Sequence, residues 1–162
     1  MKEILIAYAT YHNWANRRLM DTTLSLKEEQ QLQEVKSSFN SLHATWQHLW
    51  DAESIWWQRL KLQEHITRPS GTPHSMQEIA IELSKLDGVW MDWIAHATET
   101  NLQYVFAYYN SKSEFFKQPV WQMLMHLFNH GTYHRGQIVT LLREVGVTKI
   151  PGTDYITWSR KK

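Results

Sequence analysis

The 162-residue chain contains no cysteine. That excludes disulfides and thiolate metal ligands, and it suits a reducing cytosol. Charge of one sign is also lacking, since Lys and Arg (17) nearly cancel Asp and Glu (16). Without a basic surplus there is no electrostatic footprint for phosphate backbones, so no direct nucleic-acid partner is expected. No apolar run approaches the roughly 18 residues that suggest a membrane span. The opening MKEILIAYATYHNWANRR reaches polar and charged residues within two turns and offers no small-residue cleavage site. A cytoplasmic protein with no membrane partner is therefore the expectation. There is no internal repeat and no low-complexity tract, and the length fits a single domain over 1–162 with room for a substantial core.

Nine Trp and nine His are present. The tryptophans read first as core filler and interface anchors. Together with seven Tyr they exceed what one small core easily hides, which points to a homodimer through an aromatic-rich helix face.

Helical periodicity is visible over residues 3–20, where Ile4, Ala7, Tyr8, Tyr11, Trp14, Ala15 and Leu19 recur on one side. Ser25 with Glu28 resembles a capping box for a short helical turn. A second long helix fits 39–62, with Leu42, Trp46, Leu49, Glu53, Trp56 and Leu60 near one face. HITRPSGTPHS then reads as a loop, and Ser75 with Glu78 as a second capping box opening a helix through about residue 98. Residues 102–118 lose the helical period, and LQYVFAYYN suits a short strand pair or an irregular excursion. Pro119 fits the first turn of a last long helix ending near Glu144, before Gly146. The tail has no helical pattern, although Tyr155 and Trp158 can pin it to the body. Four amphipathic helices with long connections predict an all-α four-helix bundle, with no requirement for hairpin order.

The stretch HLFNHGTYHRGQI (126–138) places His126, His130 and His134 four apart on the last helix. On a helical wheel, His130 and His134 fall inside the apolar stripe of Met123, Leu127, Ile138, Leu141 and Val145, and His126 falls on its flank. Two imidazoles on a core-facing stripe need partners, because an unpaired buried polar group costs about 1–3 kcal/mol. Two hydrogen-bonded core histidines meet that need. So does one divalent ion, which the i, i+4 spacing lets both ring nitrogens reach. A third ligand would come from the second helix, where His43 and His48 both lie at the edge of the stripe, and periodicity does not choose between them.

HNWANRRL (12–19), HLWDAESIWWQRL (48–60) and above all HLFNHGTYHRGQI, together with the terminal DYITW, resemble the DinB family, which includes YfiT-like metal-dependent proteins. The resemblance spans essentially the whole chain. It implies a four-helix bundle in up-down-down-up order and a divalent metal held by one His of the second helix and two of the last. Carried over by position, these are His48, His130 and His134, whereas His126 matches a commonly histidine-bearing position outside the ligand set. The family takes its name from DNA-damage-inducible proteins, and its relatives include transferases and isomerases that use low-molecular-weight thiols.

Three neutral imidazoles leave an open position for water or substrate, the arrangement of a reactive site, and all-nitrogen ligation suits zinc or nickel. Gly131, Thr132 and Tyr133 stand between the two ligands of the last helix, so the general base of a His-Glu-x-x-His protease is missing. A metal that acidifies a bound thiol needs no such base. The leading expectation is a metal-dependent thiol S-transferase or hydrolase acting on a small electrophile, with a low-molecular-weight thiol as cosubstrate. The alternative is a non-catalytic stress- or DNA-damage-induced metal-binding interaction protein, and the least specific reading is a helical homodimer that binds metal adventitiously. No catalytic base is assignable. Asp51 reads first as a solvated or helix-pairing carboxylate and second as a group orienting an imidazole, Glu53 equally as either, and Arg135 as an ion-pair partner before an anion binder. Asn13, Trp14 and Asn16 read as core packing with capping contacts, and His12, His65, His74 and His96 as surface residues.

Overall fold

The structure is a computed structural model and describes residues 1–110 and 112–160. The long helices are α1 (Lys2–Leu24), α3 (Leu42–Leu60), α4 (Met76–His96) and α6 (Val120–Glu144); α2 (Glu28–Leu32), α5 (Glu99–Gln103) and α7 (Tyr155–Ser159) are single turns. Local signals explain most boundaries. Ser41 caps α3 by accepting from the Ala44 N–H (3.0 Å), and Ser75 and Glu78 form the reciprocal box that opens α4. Pro119 occupies the cap of α6, and Gly146 ends it at φ +94°, a left-handed conformation that glycine adopts without steric cost.

Two local readings need correction. The Ser25–Glu28 box does not form: α1 runs on to Leu24, Ser25 becomes its C-cap, and the next turn is capped at Lys27, whose N–H donates to Gln30 Oε1. The tail, which shows no helical period, forms α7; as expected, Tyr155 and Trp158 pack on Tyr11, and the Tyr11 hydroxyl donates to the Thr153 carbonyl (2.7 Å). The excursion after α5 is an antiparallel pair, β1 (Val105–Tyr109) with β2 (Phe115–Pro119).

Side-chain pairs set the order of the bundle. Tyr8 meets Phe128 and Asn16 meets Arg135, so α1 and α6 run parallel. Trp46 donates to Thr23 and His12 meets Glu53, so α3 runs against α1. Trp57 packs on Trp90 while Leu49 shares a cluster with Ile79 and Leu83, so α4 runs with α3. The order is up-down-down-up, in an all-α bundle with one small strand pair. No helix is long and apolar enough to cross a membrane.

Two apolar clusters fill the ends of the bundle. One centres on Trp46, Leu49, Ile79 and Leu141, the other on Trp90, Ile94, Leu124 and Phe128. Each such buried side chain stabilises the fold by roughly 1.5–3 kcal/mol. Between them every long helix turns polar at the same level: His12 and Asn16 on α1, Glu53 on α3, Asp87 on α4 and Arg135 on α6, all buried. The core is therefore apolar, polar, apolar along its axis.

Candidate metal centre

Beside the polar layer α3 and α6 run antiparallel, and His48 faces His130 and His134 across the gap. His130 Nε2 lies 3.1 Å from His48 Nε2 and 3.0 Å from His134 Nε2. Three ring nitrogens thus surround one point, a geometry that hydrogen bonds among neutral imidazoles cannot satisfy. A proton on His130 Nε2 serves one neighbour and leaves the other lone pair facing it.

The tautomer of His134 follows from its other nitrogen. Gln137 donates through its amide nitrogen to Ser38 Oγ (3.2 Å), which turns Gln137 Oε1 toward His134 Nδ1 at 2.7 Å. An amide oxygen only accepts, so Nδ1 carries the proton and Nε2 is bare toward the cluster. Metal-bound histidines are oriented in this way. Phe39 stacks on His48 (4.1 Å between centroids) and meets His134 edge-on, so one flank of the cluster is aromatic.

Burial, followed by the charges of His134 and Arg68 and opposed by Asp51, lowers His48 to about 4. Burial and the neighbouring histidines lower His130 to about 3. Burial also lowers His134, against the Gln137 hydrogen bond. All three rings are neutral at pH 7 and ready to ligate. The sign matters, because depressed values mean that protons displace a metal only in stronger acid. Ordinary imidazoles, with pKa near 6.5, would release metal below about pH 6. An ion held by these three rings is expected to be retained at pH 6 and to be lost only in stronger acid. Metal content after dialysis at graded pH checks this, and half-loss already at pH 6 would contradict it.

The other histidines do not join the cluster. His43 Nε2 bonds the His74 carbonyl (2.8 Å), which removes it from the choice the wheel leaves open. His126 is exposed and packs edge-on to Trp56. His65 and His96 are surface residues, as read, while His74 is half-buried and braces its loop through Pro69 and Thr72. Asp51 accepts from Gln47 Nε2 and the Ser70 N–H, so it ties a loop to α3.

His12 is the clearest correction. It is 2% exposed, and with Glu53 and Asp87 it forms a second group whose atoms lie close enough to hold an ion. Its chemistry argues otherwise. Arg135 Nη1, which only donates, is 3.0 Å from His12 Nδ1, and His12 Nε2 lies 2.9 Å from both Glu53 Oε1 and the Asn16 amide nitrogen; against burial, Glu53 and Asp87 raise the His12 pKa. Both groups meet the distances for an ion, and the buried Arg135 guanidinium crowds the second. Burial, then the Asp87 charge, pushes the Glu53 carboxyl up to about 7, against the pull of His12, so this group stores a proton near neutrality. Arg135 makes no ion pair among the described residues; it hydrogen-bonds His12, Asn16 Oδ1 (2.9 Å) and Thr132 Oγ1 (2.8 Å). Asn16 belongs to this network, beyond the capping role expected of it. Phe39, which the sequence places at the start of the second helix, instead precedes α3, whose cap is Ser41, and from that connection it stacks on His48.

The comparisons with known proteins agree with this architecture. The chain is 26% identical over 166 residues to Protein DinB of Bacillus subtilis (strain 168), covering 96% of this chain and 93% of that protein. A crystal structure of a DinB-like protein from Bacillus cereus ATCC 10987 superposes with a TM-score of 0.68 at 23% identity, covering 88% of this chain and 91% of the other, which supports the fold. The model of the DinB family matches residues 1–161, and the chain belongs to that family.

Proposed function

We propose that His48, His130 and His134 hold one divalent ion, zinc or nickel, through their Nε2 atoms, and that the remaining position takes a low-molecular-weight thiol for transfer to a small electrophile. The convergence of three Nε2 atoms, with the His134 tautomer set by Gln137, carries this reading. An ion held there would favour the thiolate of a bound thiol. The chain's own residues suit that chemistry. Gly131, Thr132 and Tyr133 supply no carboxylate base between the ligands, and Glu53 is engaged with His12 in the core. Phe39 and Tyr133 each meet the His134 ring edge-on. In transfer, a carbon–sulfur bond forms as the electrophile's leaving group departs with its electron pair, and the thiol proton passes to solvent. A hydrolase using water at the same position is the near variant.

Untagged protein loaded with zinc or nickel is expected to accelerate coupling of a simple thiol to an activated aryl chloride, with the acceleration lost in metal-stripped protein and in His130→Ala. If no thiol or electrophile reacts faster with loaded protein, the catalytic reading falls and the non-catalytic metal-binding reading takes its place.

A homodimer belongs to the same reading, though its basis narrows. None of the nine tryptophans is exposed; of the exposed aromatics, Tyr109, Phe115 and Phe116 lie on the hairpin and Tyr104 just before it, while Tyr133 and Tyr155 lie elsewhere. This hairpin is the proposed dimer face, and light scattering giving one subunit mass at tens of micromolar would reject it.

A further inference from the structure

A cleft of about 260 Å³ opens beside the metal centre, walled by His48, Asp51, Trp56, Arg59, Arg68 and Asn110. It lies between one face of α3, the loop after it and the end of the hairpin, and its volume suits a small ligand. Its charge is unusual. Among the described residues, neither arginine has a carboxylate within 4.0 Å. The one acid in the wall, Asp51, already spends Oδ1 on the Ser70 N–H (2.9 Å) and Gln47 (3.2 Å).

Arg59 is held in place. The Arg59 guanidinium lies over the faces of Trp56 (4.6 Å) and Tyr108 (4.9 Å) and donates one hydrogen bond, from Nη2 to the Tyr109 carbonyl (2.9 Å). Among the described residues its other N–H groups are uncommitted, and the position is half-buried, so desolvation is borne there without a counter-ion. Arg68 sits at the start of the turn that Asp51 fastens to α3, and its charge is felt at His48. Two forked donors, an aromatic wall and a shared histidine make an oxyanion receptor continuous with the metal centre.

We propose that this cleft binds the oxyanion group, carboxylate or sulfonate-like, of the small molecule that reacts at the histidine centre, with Arg59 and Arg68 as its specificity determinants. The proposal rests on the thiol-transfer reading for what reacts, but the cleft is testable without it.

Metal-free protein is titrated with propionate, ethanesulfonate and propanol while the Trp56 indole and Arg59 Nε–H signals are followed by nuclear magnetic resonance. Saturable shifts are expected with the two anions and not with propanol, and Arg68→Gln, an exposed position that leaves packing intact, should abolish them. Shifts with propionate alone would restrict the site to planar carboxylates. Cobalt-loaded protein is then titrated with 3-mercaptopropionate, 2-mercaptoethanesulfonate and 2-mercaptoethanol, using the thiolate-to-cobalt absorption. The anionic thiols should bind about tenfold more tightly than the neutral one, the gain expected of a charge-assisted pair, with the ratio falling toward one in Arg68→Gln and in high salt. Anion shifts without any thiolate absorption would leave the cleft standing and overturn the thiol reading. Thiolate absorption with equal affinities and no anion shifts would overturn the cleft and leave the thiol reading intact.

Discussion

Replacing His48, His130 or His134 by alanine, one at a time, is expected to lower bound metal at least about tenfold in untagged protein, since two imidazoles are left to chelate weakly and no protein atom replaces the third. His43→Ala is expected to keep full content, because its ring is spent on the His74 carbonyl 2.8 Å away. His126→Ala should also keep it, as that ring packs on Trp56 and bonds none of the three ligands. Gln137→Leu is the informative intermediate. It leaves all three ligands but frees the His134 ring from the acceptor that sets its tautomer, and affinity should fall about 10–100-fold. Elemental analysis of the six proteins checks the set. Retention by His48→Ala with loss by His43→Ala would move the α3 ligand by more than one turn.

The largest stability effect is expected at Arg135. Its guanidinium is 2% exposed, donates to three side chains and lies 5.5 Å from the Tyr11 ring centre. Arg135→Met keeps much of the volume but leaves His12 Nδ1 and Asn16 Oδ1 unpaired, and it removes a positive charge that interacts with buried Asp87 and Glu53. Each buried acceptor left unpaired costs about 1–3 kcal/mol, so the two together take a large part of the roughly 5–15 kcal/mol that folds a domain. Gly131→Ala should strike the same network sterically, because its Cβ would overlap His12 Cε1 in a layer where every partner is fixed. Arg143→Met, at an exposed position of the same helix, should change stability little. Denaturant titration gives each value; a loss under about 1 kcal/mol for Arg135→Met would show that the layer is not a structural keystone.

How far the sequence alone reaches differs between these two sites. The helix-borne spacing of His130 and His134 and their place on the α6 stripe are local facts, legible from eleven or so neighbouring residues. Their partner on α3 is not legible from periodicity, since His43 and His48 both lie at the edge of its stripe; the resemblance selects His48, and the fold brings that ring to His130 while His43 turns toward a loop carbonyl. His12 had a usable signal that the surface reading passed over. The buried positions of α1 include Leu5, Ala9, His12, Asn16, Leu19 and Thr23, an unbroken three-and-four spacing. Its meaning was beyond local reading, because Glu53, Asp87 and Arg135 come from three other helices. Ser25 failed for a simpler reason: α1 ran on through Leu24, and the cap moved two residues along. Phe39 and the two cleft arginines lie in or against connecting segments, whose positions depend on tertiary contacts such as the bond from Ser70 to Asp51.

Anomalous diffraction from crystals of untagged protein given one equivalent of zinc tests the central claim most directly. The account predicts a single peak among His48, His130 and His134 at about 2.0–2.1 Å from three Nε2 atoms, with a fourth, non-protein ligand. A peak instead at His12, Glu53 and Asp87, or none in zinc-equilibrated crystals at neutral pH, would contradict it.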